Sequence, residues 1–284
     1  MANLKDIKNR IKGVKSTQKI TKAMKMISTA RLNKAKIALG IILEYSRSME
    51  NFVNSLIGTV DLHAIESNMP MINNIVNSNA PKKRMTILFT TDKGLCGALN
   101  TLILRAFENS VSNQDVIYIL GKKGFDYCKT RHKIYNTHPV LSSKCDFSEI
   151  AEEISYAITK EGITDLNVVF PHFVSTMVQK PSNINLPHLA QQKQGNPSQG
   201  AFFQVDECPA KLLENSIKHY IEAMLSSCLA ELICCEHSAR MIAMDNATNN
   251  AKTKIAALTL TYNKTRQANI TREILEIISG SQAV

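Results

Sequence analysis

The chain has 284 residues, 44% of them apolar, a formal net charge of +10 and seven cysteines. That length and apolar content permit one or two domains around a sizeable core, and the want of any run of about 18 or more apolar residues excludes a transmembrane helix. The cysteines form no CxxC pair, and Cys234 and Cys235, adjacent on a helix, would point in different directions; this argues against zinc or a disulfide framework and fits a reducing compartment.

The charge is unevenly placed. Lys5, Lys8, Arg10, Lys12, Lys15, Lys19, Lys22, Lys25, Arg31, Lys34 and Lys36 face only Asp6 in the first 36 residues, so this end carries the whole net charge and would be the end to meet an acidic partner. The alternative is a solvated lysine-rich helix face. No apolar signal core is present, and lysine exceeds arginine over a helical pattern too long for a cleavable leader, so the segment is expected to be mature structure. Leu4, Ile7, Ile11 and Val14 follow the three-four step of a coiled-coil seam. Thr17, Ile20, Met24, Ile27 and Ala30 continue it through extra three-residue steps, which would overwind a pair locally. The pattern runs on through Ile41, Leu43, Phe52 and Leu56 to about Ile57, with Gly13 and Gly40 each weakening the helix by roughly 1 kcal/mol.

From Asp61 to Pro81 an Asn, Ser and Pro composition indicates a loop or linker. Met85–Thr90 then reads as a strand, Asp92–Gly97 as a glycine-containing turn and Ala98–Asn109 as a helix; Val116–Leu120 is a second strand, followed by Gly121, Gly124 and another helix. Phe147–Lys160 is helical and Leu166–Phe170 a strand. The alternation implies a small, mostly parallel sheet covered by helices, and polar Pro181–Gly200 an exposed hairpin or loop. Neither GxGxxG nor GxxxxGK[ST] is present, and the glycines of DKGLCG and GKKG are too few to cradle a pyrophosphate. No GxSxG elbow or HExxH pair exists, and Glu152 and Glu153 are adjacent, hence on different helix faces. No active site, cofactor or metal is expected.

Ala210–Ser279 lacks proline and glycine, and apolar residues recur at steps of three and four: Leu213, Ile217, Tyr220, Met224 and Cys228, then Ala239, Ile242 and Leu258. One helix of roughly 100 Å follows. Ala239, Ala243, Ala247 and Ala251 would let a partner helix approach closely. The fold class is therefore α/β: a long antiparallel coiled coil of the N-terminal (1–60) and C-terminal (209–284) helices plus a central Rossmann-like α/β domain (61–208). The longer C-terminal helix should run past its partner. Two functions fit: a mechanical coupler whose shaft enters a partner assembly, or a basic helical nucleic-acid-binding protein. Against the second, the lysines surround a seam committed to pairing, and no aromatic residue precedes Tyr45 to stack on bases.

Four stretches, IKNRIKGVKSTQKITKAMKMIS (Ile7–Ser28), TDKGLCGALN (Thr91–Asn100), SARMIAMDNATNNA (Ser238–Ala251) and YNKTRQANITREILEIISG (Tyr262–Gly280), resemble the gamma subunit of F-type ATP synthase. The resemblance implies a non-catalytic central rotor stalk, one copy per complex. It would transmit torque between the proton-driven membrane c-ring and the catalytic beta subunits of a threefold alpha and beta ring, with an epsilon subunit alongside, and bind no nucleic acid. It implies beta-subunit contacts for Met24, Arg240, Arg266, Gln267, Thr271 and Glu273, and a basic collar of Lys12, Lys15, Lys19, Lys22 and Lys25 towards acidic beta-subunit levers. The apolar last turns, Ile274, Leu275, Ile277 and Ile278, fit a tip turning in a sleeve. Asp206 and Glu207 are the acidic part of a foot on the membrane ring, although Val205 stands where the family commonly has tyrosine. Lys93 and Ala98 replace an arginine and a glycine of the central turn, and the regulatory cysteine segment of the chloroplast form is absent. The cytoplasmic face of a bacterial inner membrane, without direct insertion, is the implied location.

Overall fold

The structure, a computed structural model, describes residues 4–59, 83–112, 114–138, 147–185 and 209–282. The expected linker at 61–81, most of 181–200, and Asp206 and Glu207 lie outside the described residues. The chain divides into two compact units, one of residues 1–30 with 240–284 and one of residues 31–239.

In the first unit two helices pair. Helix α1 (Leu4–Thr59) enters it with Ile7 buried, Ile11, Val14 and Gln18 half-buried, Thr21 buried, Lys25 half-buried and Ser28 buried. These steps alternate four and three without interruption, an unbroken heptad seam. The expected route through Thr17, Ile20, Ile27 and Ala30 is therefore corrected: Ile20 is 57% and Ile27 54% exposed, on the opposite side of the helix, and no overwinding step is needed. Two of the polar inner positions find partners across the seam. Thr21 Oγ1 lies 2.8 Å from Thr248 Oγ1, and Lys25 Nζ donates to Asp245 Oδ1 at 2.7 Å.

That partner is helix α5 (Pro209–Gln282), 74 residues and about 110 Å at 1.5 Å per residue. Met244, Thr248, Ala251, Ile255, Leu258, Tyr262, Thr265 and Asn269 form its complementary heptad, buried or half-buried. The alanine ladder enters the seam at Ala251, while Ala243 and Ala247 stay half-buried. Between the two cross-contacts α1 advances as α5 recedes, so the pairing is antiparallel. Carrying that register seventeen residues on brings Leu4 level with about Thr265, and every residue from Ile270 to Ser279 is exposed. The last turns of α5 run past the start of α1, as expected.

The second unit holds a five-stranded sheet in the order β3-β2-β1-β4-β5, formed by β1 (Arg84–Phe89), β2 (Val116–Leu120), β3 (Ile134–His138), β4 (Asp165–Phe173) and β5 (Gln179–Asn185). The first four are parallel and β5 is antiparallel to β4. Alternation sends Met85, Ile87 and Phe89 of β1 to one core and Leu88 to the other. The first core also takes Tyr118, Val168, helix α4 (Phe147–Glu161), Val53 and Leu56 of α1 and Leu213–Leu232 of α5. The second takes Leu99, Ile103 and Phe107 of helix α2 (Leu99–Ser110), Cys128 of helix α3 (Lys122–Cys128), Val169 and Cys235. Both faces are covered, which is what a parallel sheet with short apolar strands requires.

Two strands escaped the sequence pattern. IYNTH of β3 and QKPSNIN of β5 are the sheet edges, where one side of the ladder needs no partner and the apolar requirement is halved. The expected loop from Pro181 thus begins as strand; proline sits there because an edge strand can spare its N–H.

Candidate functional site

The carboxyl ends of parallel strands are where an α/β sheet offers a ligand site. Here the groups that would cradle one are used by the chain itself. At the start of α3, Gly124 N donates to Thr90 Oγ1 at 2.8 Å, Lys122 N to Asp92 Oδ1 at 2.9 Å, Gly121 N to His138 O at 2.9 Å and Lys123 N to Thr91 O at 3.1 Å. The turn after β1 closes through Asn100, whose Nδ2 donates to Thr91 Oγ1 at 2.7 Å while its Oδ1 accepts the Thr91 N–H at 3.2 Å. Gly121, at φ 113°, and Gly124 let α3 approach so closely that a Cβ at either would overlap Thr90. The glycines therefore serve helix-to-strand packing, and the helix N-terminus has no donors left over for a phosphate.

A side-chain cluster joins β2, β3 and α4 of this unit. Glu153 Oε2 on α4 accepts from Tyr118 Oη at 2.7 Å and Asn136 Nδ2 at 2.9 Å, and lies 3.2 Å from His138 Nε2. Partial burial raises the Glu153 carboxyl, but the bonds from Tyr118, His138 and Asn136 outweigh it and hold the group below its ordinary value. Burial, helped by the same carboxylate, pushes Tyr118 well above the usual phenol range. The cysteines described are free and buried; burial pushes Cys128 and Cys234 up to about 11 and Cys228 and Cys235 higher still. Such thiols are poor nucleophiles.

The residues singled out from the sequence fall on two places, both in the helix pair. Lys12, Lys15, Lys19 and Lys22 are exposed on α1, and Met24 on the same helix is half-buried. Lys25 turns inward to Asp245. On α5, Arg266, Gln267, Thr271 and Glu273 are all exposed on the stretch level with or beyond the start of α1, with the Thr271 hydroxyl donating to Gln267 O at 3.0 Å. Arg240 differs from them, being 8% exposed. Along the same final turns Ile270, Ile274, Leu275, Ile277 and Ile278 stand out to solvent, Ile277 by 71%. Apolar surface of this extent on a helix end is characteristic of an interaction site. Sequence reading missed Thr21, Asp245 and Thr248; the only available signal was a polar residue at a seam position of each helix, Thr21 and Thr248.

The comparisons agree with one another. The family model described as "ATP synthase" matches residues 3–284. The chain is similar to the ATP synthase gamma chain of Trichlorobacter lovleyi, 32% identical over all of this chain and 99% of that one, and to that of Pelotomaculum thermopropionicum, 33% identical over the whole of both. In fold it is similar to a chain of the Euglena gracilis mitochondrial ATP synthase OSCP/F1/c-ring structure, with TM-score 0.68 at 18% identity, covering 99% of this chain and 94% of that one. It is also similar to a chain of the Tetrahymena thermophila mitochondrial ATP synthase central stalk and c-ring, with TM-score 0.55 at 20% identity, covering 80% and 99%.

Proposed function

This chain belongs to the family of ATP synthase gamma chains, and we propose that it works as the central rotor of that enzyme, turning inside a ring of alternating alpha and beta subunits. It is a non-catalytic subunit of a complex that makes ATP. The observation that carries the rotor reading is the tip of α5: an exposed apolar helix end with Arg266 and Gln267 at its base, running past the end of its own partner helix. A ring of three chemically identical sites cannot take turns unaided. An asymmetric shaft contacts each site differently, stabilises a different conformation in each, and shifts those populations as it turns. In synthesis, proton flow through a membrane c-ring turns the shaft; in hydrolysis the direction reverses.

The residue roles are those that the family resemblance implies, and the exposure and charge of these residues are compatible with them. Arg266, Gln267, Thr271 and Glu273 meet polar loops of the beta subunits, where a guanidinium fork can hold and release a carboxylate as the shaft turns. Lys12, Lys15, Lys19 and Lys22 form the basic collar towards acidic beta-subunit levers, and Met24 faces a lever segment of a beta subunit. Arg240 is packed into its surroundings, so its loss tests the helix pair as much as a contact. Asp206 and Glu207 form the acidic foot on the c-ring, and an epsilon subunit stands beside the chain. The division into 1–60, 61–208 and 209–284 is a division of labour between shaft, c-ring connection and shaft again. No helix among the described residues is long and apolar enough to cross a membrane. The family resemblance implies a peripheral position on the cytoplasmic face of a bacterial inner membrane.

The experiment is reconstitution: alpha and beta subunits are mixed with this chain, the assembly is purified by size, and ATP hydrolysis is recorded with and without it. One copy entering the ring, with activity that falls when Arg266 or Gln267 is replaced by alanine, is the expected result. A chain that stays out of the ring overturns the proposal.

A further inference from the structure

Between Gln18 and Ser28 the inner face of α1 offers its partner helix Gln18, Thr21, Lys25 and Ser28, with the half-buried Met24 as the one large apolar side chain nearby. Towards the start of α1 the seam is apolar: in the register set by Thr21 and Thr248, Val14, Ile11 and Ile7 lie level with about Ile255, Leu258 and Tyr262. In the polar stretch the helices are joined by the Thr21 to Thr248 hydroxyl contact at 2.8 Å and the Lys25 to Asp245 ion pair at 2.7 Å. The ion-paired side chains are 40% and 44% exposed. A pair so open to water adds little adhesion, since half-exposed ion pairs contribute about 0–1 kcal/mol. What it does fix is direction. Asp245 is the only acidic residue between Arg240 and Arg272, and it faces the one lysine of the collar that turns inward.

We propose that Asp245 is a positioning residue of the helix pair: it draws the Lys25 ammonium across the seam and removes that charge from the outward basic face. The ion pair is a property of this chain by itself, while its effect on the collar rests on the rotor reading. Lysine positions 12, 15, 19 and 22 remain turned outward, so an acidic partner meets four charges in this stretch where the sequence counts five.

Two measurements test this. In the full-length chain, competitive labelling with an amine-reactive reagent, read by peptide mass, should modify Lys25 at least about threefold more slowly than Lys12, Lys15, Lys19 and Lys22, because the contact with Asp245 holds its nitrogen against the partner helix and limits reagent access. Asp245→Asn should bring Lys25 to the rate of the others, and Asp245→Glu should keep it slow. Equal labelling of all five in the unmodified chain overturns the proposal, whatever the fate of the rotor reading. In the reconstituted assembly, Asp245→Asn returns Lys25 to the collar and should slow hydrolysis about two- to fivefold at low salt, with the difference fading at high salt as the added attraction is screened. The exchange Lys25→Asp with Asp245→Lys should recover the lost rate. An exchange as impaired as Asp245→Asn, in an assembly that the unmodified chain enters normally, overturns the positioning role and leaves the rotor reading standing.

Discussion

Glu231, buried on α5, reaches the end of β4, where its Oε2 lies 2.6 Å from His172 Nδ1 and accepts the Phe173 N–H at 2.8 Å. The carboxylate has 8% of its side chain exposed and the imidazole 51%, so the two ends of this contact differ in what they lose when broken. Glu231→Ala strands a backbone N–H and should lower stability by about 2–3 kcal/mol, whereas His172→Ala, whose partner keeps the Phe173 N–H, should stay near 1 kcal/mol or less. Denaturant midpoints of the two variants check this; a larger loss for His172→Ala would show that the backbone bond does not matter.

Glycine positions separate by what surrounds them. Gly121→Ala puts a Cβ into the Thr90 carbonyl at φ 113°, and Gly124→Ala brings one to 2.8 Å from Thr90 Oγ1. Both should lower the thermal midpoint sharply, by the equivalent of about 1–3 kcal/mol or more each. Gly13 and Gly40 sit inside α1 with nothing within 4 Å, so alanine there should stabilise by about 0.5–1 kcal/mol. Calorimetry on the four single variants distinguishes the two classes by sign.

The Glu153 cluster gives stability a pH dependence at both ends. Its carboxyl is held below the ordinary 4.5, so the stabilisation is present above that value and is lost as pH falls through the lower folded value. Tyr118 is raised above its ordinary 10.0, so its contribution is present below pH 10 and is lost as pH rises beyond it. Glu153→Gln should flatten the acid limb and move the Tyr118 titration back towards 10, read by tyrosinate absorbance. An unchanged tyrosine titration would remove the carboxylate from the account.

At the tip of α5, Arg266→Ala and Gln267→Ala remove exposed side chains and should leave the folding of the chain alone within about 0.5 kcal/mol. In the assembled enzyme the same changes should reduce binding or hydrolysis by roughly 5- to 100-fold if these residues anchor the interface. Helix content and thermal midpoint of the free chain, set beside activity of the assembly, separate the two effects. A chain that is destabilised but assembles normally would assign these residues to folding.

Thiol chemistry offers an independent check on the core. Cys128, Cys228, Cys234 and Cys235 are buried and raised in pKa, so they should resist a thiol reagent at neutral pH until the chain unfolds. Mass mapping of modified peptides reads this directly, and rapid labelling of Cys228 in the native chain would contradict its place in the core.

The sequence by itself determined the long terminal helices, the three inner strands and the turn after β1, because each depends on nearby residues: the want of proline and glycine after Pro209, and apolar β-branched runs such as MTILF and VIYIL. It also carried the basic face of α1 and the overhang of α5, since clustered charge and a helix longer than its partner show in composition and length. Only tertiary structure decided which of two stripes on α1 faces inward. Ile20 and Ile27 offered an apolar stripe, yet Gln18, Thr21, Lys25 and Ser28 took the seam, where Thr248 and Asp245 pair with Thr21 and Lys25 from more than two hundred residues away. The edge strands β3 and β5 were decided the same way, by pairing with β2 and β4 and not by their own polar sequences. Local periodicity reports how much apolar surface a helix or strand has, whereas the direction it faces is set by the sum of contacts with distant segments, and that sum is defined only once the chain has folded.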